Sequence, residues 1–162
     1  MAVAEPIRRS IRLRGFDYAS TNWYYVTICT NNRDKILGKV VGNRAYLSPW
    51  GHIANNIWGQ LPLMFPAIEL DECVIMPNHL HGIIGIRATV KVAPTLGQIV
   101  GAYKSRVIHE CLVLANIKEN ILGKMWQRNY YEHIVRDEED LLRIREYINH
   151  NPANWTKDKL FP

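Results

Sequence analysis

A chain of 162 residues, 48% hydrophobic and 22% charged, has the size and composition of one folded domain with a core of its own, which excludes a disordered or fibrous polymer. Its net charge of +5 admits a polyanionic partner without demanding one. No apolar run approaches the roughly 18 residues that span a bilayer, and the three scattered cysteines Cys29, Cys73 and Cys111 read as reduced thiols of a cytoplasmic protein.

In chain order, residues 1–20 read as a basic arm carrying Arg8, Arg9, Arg12 and Arg14. Its opening lacks the apolar centre of a secretory signal. "NWYYVTICT" (22–30) is aromatic and β-branched and predicts a strand, with "NNRD" as the following turn. A short strand is expected at 44–48. "PWGHIANNIWGQLPLMF" then places Ile53, Ile57, Trp58 and Leu61 at helical spacing, with Pro49 near the start. "AIELDECVIM" and "HLHGIIGI" predict two strands joined by a turn at Pro77-Asn78. "RATVKVAP" is a loop, 95–115 a long amphipathic helix and "NIKENILGK" a linker. "MWQRNYYEHIV" (125–135) predicts another strand. The last helix is capped by Asp137, with Glu138, Glu139 and Asp140 in its first turn and Leu141, Ile144 and Ile148 as its core stripe. Pro152 should end it and push Asn151 out of helical backbone. The expected fold is α+β, an antiparallel β-sheet flanked by α-helices. One domain spans 21–155, and 156–162 is a tail.

The informative stretch is "CVIMPNHLHGIIGI" (73–86), an apolar run holding two histidines. Alternate positions on a strand share a face, so His79 and His81 point the same way, close enough to share one ion or one phosphate. A metal there needs a further protein ligand; alone, the pair also fits two hydrogen-bonded edge histidines. On the last helix, Tyr147 and Asn151 stand four residues apart and share a face beside the apolar stripe.

"MPNHLHGIIGI" resembles the His-hydrophobic-His motif of the single-tyrosine HUH transposases. "WQRNYYEHIVRDEEDLLRIREYINHNP" resembles the C-terminal signature of one branch, the REP-associated tyrosine transposases, which are related to the insertion-sequence-200 class. "RRSIRLRGFDYASTNWYYVTICTNNRDKILG" and "LGQIVGAYKSRVIHE" resemble the same branch, so the likeness runs from about Arg8 to Pro152. It implies an HUH-endonuclease fold, a ferredoxin-like α/β sandwich. It implies that His79 and His81 bind a divalent metal, Mg²⁺ or Mn²⁺, and that Tyr147 is the nucleophile. Asn151 stands where the insertion-sequence relatives carry a glutamine that completes the metal site. Tyr130 and Tyr131 are rival nucleophiles, and Tyr103 a weaker one.

The activity implied is nicking and rejoining of single-stranded DNA beside a hairpin, through a 5′-phosphotyrosine, by a monomer or a homodimer. Arg8, Arg9, Arg12 and Arg14 would follow phosphates. Lys104, Arg106, Arg128 and Arg136 would line a single-strand path on which Trp126, Tyr130 and Tyr131 stack bases. Two other readings stay open: a hairpin-binding protein without useful catalysis, and an unrelated metal hydrolase that recruits Cys73 to the histidine pair.

Overall fold

The computed structural model describes residues 22–87, 93–116 and 124–162. Arg8, Arg9, Arg12 and Arg14 lie outside the described residues, as do 88–92 and 117–123 of the two expected connections. In chain order the elements are β1 (Asn22–Cys29), β2 (Gly38–Val41), β3 (Arg44–Leu47), α1 (Pro49–Met64), β4 (Ile68–Met76), β5 (His79–Ile86), α2 (Leu96–Leu114), β6 (Tyr131–Ile134) and α3 (Glu138–His150). The main sheet has the order β4-β5-β1-β6 with every neighbouring pair antiparallel, and β2-β3 forms a separate ribbon. Without that ribbon, and before the terminal α3, the chain reads βαββαβ, the split-βαβ order of ferredoxin-like folds, so the expected α+β sandwich is what forms.

Strand parity builds the two faces. Tyr24, Val26 and Ile28 of β1, with Leu80, Ile84 and Ile86 of β5, turn toward α1 and α2 and form the larger core. Gly82 lies on that same face, where a Cβ would come within 2.3 Å of the Trp58 ring of α1. The opposite face carries Ile83, against which Ile144 and Ile148 of α3 pack beside Trp23, Tyr25 and Val74. Full burial of such a side chain contributes roughly 1.5–3 kcal/mol. Arg145 adds a bidentate pair to Asp71 of β4, with Nε donating to Oδ1 at 2.8 Å and Nη2 to Oδ2 at 2.5 Å.

Local chemistry sets the helix ends. Ser48 accepts from the Gly51 N–H, and Pro49 opens α1. Thr95 and Gln98 form a reciprocal capping box on α2. Asp137 accepts from the Asp140 N–H at 2.8 Å.

Three expectations change. The ribbon partner β2 was not anticipated. The strand expected over 125–135 is confined to Tyr131–Ile134, because Trp126 makes only an isolated bridge to Thr30 and Lys104 Nζ collects the carbonyls of Gln127 and Asn129. Asn151 keeps helical backbone (φ −58°, ψ −43°) despite Pro152: its N–H donates to Ile148 O, and a further turn continues as Asn154 N–H bonds His150 O.

Candidate metal and nucleophile site

The site forms where β5 begins. His79 opposes Cys29 and His81 opposes Thr27 in the β1 register, so both rings leave the sheet on the α3 face. Their Nε2 atoms stand 3.0 Å apart and both rings are buried. Each ring is oriented from behind. His79 Nδ1 lies 2.7 Å from Asn78 Oδ1, and Asn78 Nδ2 donates in turn to the Leu160 carbonyl at 2.8 Å. A donating Nδ1–H leaves the His79 Nε2 lone pair free. His81 Nδ1 meets two hydroxyls, Tyr25 Oη and Thr27 Oγ1, each at 2.8 Å. Hydroxyls both donate and accept, so they satisfy this nitrogen in either tautomer.

Helix α3 brings Tyr147 over the pair. Its ring meets His81 edge-on at 5.3 Å and Tyr25 edge-on at 6.4 Å, and the side chain stays 48% exposed, open to a reacting partner. One turn later Asn151 is buried; its Nδ2 donates to Asp158 Oδ2 at 2.9 Å. Its Oδ1 is buried with no hydrogen-bond partner among the described residues, an orphan lone pair on a residue bonded to Asp158.

Asp158 was missed by the sequence reasoning. It follows the short turn Trp155–Lys157, and its Oδ2 lies 3.8 Å from His79 Nε2. Leu160 N–H fixes its Oδ1 at 2.7 Å. His79, His81 and Asp158 each offer one ligand atom within 4.8 Å of the others, a two-nitrogen, one-carboxylate set suited to a divalent ion. With the orphan Asn151 oxygen alongside, these residues fit a divalent metal.

Burial depresses both imidazoles. His79 falls to about 4, with the Asp158 charge opposing the shift, and His81 drops well below its ordinary value, the neighbouring ring adding to the effect. Both rings are therefore neutral at neutral pH and offer lone pairs. Burial, then the Asp158 charge, raises the Tyr147 hydroxyl above its usual value, with Asn151 opposing. Tyr147 opens onto a cleft of about 430 Å³ that Tyr25, Asn151 and Asp158 also line, and Arg143, Lys157 and Lys159 supply its cations.

Other expected positions are distributed differently. Tyr131 pairs with Thr27, in the row of His81, and is exposed. Tyr130, Trp126 and Tyr103 belong to the core on the far face, Tyr103 donating to the Ala54 carbonyl at 3.2 Å. Lys104 and Arg106 lie on α2 in that far layer; Arg106 pairs with Glu110 at 3.0 Å, and Arg128 is exposed. Cys73 pairs with Gly82 and packs into the far core, so strand parity turns it away from the histidines and removes it as a ligand.

The profile of the family described as Transposase IS200 like matches residues 19–151, which hold both histidines, Tyr147 and Asn151. The chain belongs to that family. This IS200-like member therefore has a DNA-processing role of the transposase kind. It is 38% identical to an uncharacterised protein of Haemophilus influenzae over 95% of this chain and 93% of the relative. A second Haemophilus influenzae protein, named as a candidate REP-associated tyrosine transposase, is 22% identical over 85% of this chain and 73% of its own. The fold is shared with a REP-associated tyrosine transposase solved on a REP hairpin, at a TM-score of 0.65, 18% identity, and 93% and 77% coverage. A candidate transposase from Deinococcus radiodurans gives a TM-score of 0.54 at 18% identity, with 86% of this chain and 95% of that one covered. Among the described residues no helix is long and apolar enough to cross a membrane.

Proposed function

We propose that this protein nicks and rejoins single-stranded DNA beside a hairpin, using Tyr147 as nucleophile and a divalent metal, Mg²⁺ or Mn²⁺, held by His79 and His81 with oxygen from Asp158 and Asn151. The carrying observation is that Asp158 of the metal-competent set, Asn151 and the half-exposed Tyr147 ring line one cation-edged cleft, with the buried histidine pair directly beneath Tyr147 and Asp158. A divalent ion held there would draw charge from the scissile phosphate and align it for in-line attack. Tyr147 Oη forms the new bond to phosphorus, the P–O3′ bond breaks, the phenolic proton leaves, and the departing 3′-oxygen takes one up. The phosphotyrosine keeps the energy of the phosphodiester, so a second 3′-hydroxyl can reverse the step without ATP. Arg143, Lys157 and Lys159 offer charge to the backbone on either side. Imidazole ligands favour manganese over magnesium.

The test is a denaturing gel of labelled, flanked hairpin oligonucleotides incubated with protein and Mn²⁺ or EDTA. A protease-sensitive DNA–protein band that requires Mn²⁺ and disappears in Tyr147→Phe is expected. Hairpin retention with no such band would favour a binding protein without catalysis.

A further inference from the structure

The β2-β3 ribbon takes no part in the main sheet, and its two faces differ. Val40, Ala45 and Leu47 are partly buried on its inner face. Register places Lys39 opposite Tyr46 and Val41 opposite Arg44, so these four share the outer face, and all are exposed. Tyr46 is 50% and Val41 55% exposed. Nothing acidic stands among them, and among the described residues neither cation forms an ion pair.

The root of the ribbon lies beside the metal site. Leu37 N–H bonds the Pro77 carbonyl in the turn that delivers His79, which roots the ribbon at the same end of the sheet. Trp155 lies against His79 at 5.9 Å, Phe161 against Trp155 at 5.1 Å, and Lys35 Nζ over Phe161 at 5.4 Å. Arg33, two residues before Lys35, is exposed. It is held in left-handed backbone (φ 58°), a conformation that a residue with a side chain adopts at a cost. From Arg33 to Arg44 the segment carries four cations and one acid, Asp34.

We propose that the outer face of this ribbon, joined to the metal site through Arg33 and Lys35, is a docking track for the single-stranded flank of the DNA. Unpaired cations match a phosphate chain, and an exposed aromatic beside them matches an unstacked base. Double-stranded DNA has no unstacked base to offer Tyr46. This rests on the proposed nicking function and assigns the DNA outside the scissile step to a defined surface.

The test uses full-length protein in EDTA with fluorescein-labelled (dT)20 and, in parallel, (rU)20, read by anisotropy across a salt series. Tyr46→Ala should weaken (dT)20 binding about tenfold. The double variant Lys39→Gln/Arg44→Gln should reduce the log–log salt slope by roughly one to one and a half. All three positions are exposed, so melting temperatures should match wild type. Wild-type affinity and slope in both variants would overturn the track. So would tighter binding of (rU)20 than of (dT)20, or a Tyr46→Ala variant that dissociates a dimer in sedimentation while binding DNA normally. Failure of the nicking function looks different: normal (dT)20 binding with no Tyr147-dependent adduct from wild type.

Discussion

At His81 two hydroxyls converge on one ring nitrogen, and the ring is also stacked on Tyr25 at 5.4 Å. Groups that hold a ligand histidine from behind typically control metal affinity by about 10–100-fold. Tyr25→Phe keeps the stack and loses the hydroxyl; Thr27→Val loses the other hydroxyl at constant volume. Each alone leaves Nδ1 one partner and should weaken Mn²⁺ binding modestly. The double variant should lose at least about tenfold, measured by calorimetry. Equal affinity in the double variant and wild type would show that the hydroxyls only fill space. Asp158→Asn should cost more than either single change, since it removes the carboxylate of the set while preserving an oxygen for Leu160 N–H.

Helix α3 is the element that turns a histidine pair into a reaction site, because it carries Tyr147 and Asn151 and is fastened to the sheet two residues before Tyr147 by Arg145 and Asp71. The guanidinium lowers the Asp71 carboxyl below its ordinary value. A depressed carboxylate gives stability that is present above its unfolded value, near ~4, and is lost as pH falls through the folded one. Arg145→Ala should therefore lower stability by about 1 kcal/mol at neutral pH, a figure limited by solvent screening of the partly exposed guanidinium. In thermal melts the gap to wild type should close below about pH 4; a gap unchanged at pH 3 would mean that the loss is packing rather than charge. Element by element, the sequence was readable where one period dominated. Ile144 and Ile148 marked α3, and alternate positions put His79 and His81 on one face. It was unreadable where the tertiary partner decides: Val40 and Val41 form a strand only because Arg44–Leu47 folds back on them, and 127–130 leave strand geometry to meet Lys104. Asp158 gave no signal at all. It lies in no periodic segment and beyond the matched family region, and only the turn after α3 brings it to Asn151.

For the molecule as a whole, metal loading and folding should be one equilibrium, because the ligands come from β5 and from the segment after α3. A ligand held only by the native state at a hundredfold excess over its dissociation constant adds about 2.7 kcal/mol. Saturating Mn²⁺ should thus raise the midpoint by roughly 5–10 °C, and a chain ending at residue 155 should lose most of that rise. An equal rise in both would remove Asp158 from the site. The sheet itself has a wider consequence. It is one strand thick, so the metal site and the core share one wall: His81 faces α3, and at its neighbour Gly82 the strand lies against Trp58 so closely that a Cβ would clash. A genetic screen for inactive alleles should therefore return α1 changes such as Trp58→Ala beside His79 and His81 changes, although α1 contributes nothing to the cleft. Heating in EDTA, where metal adds nothing to either class, would sort the two, since the α1 class should lose about 3–5 kcal/mol, the cost of emptying a tryptophan site.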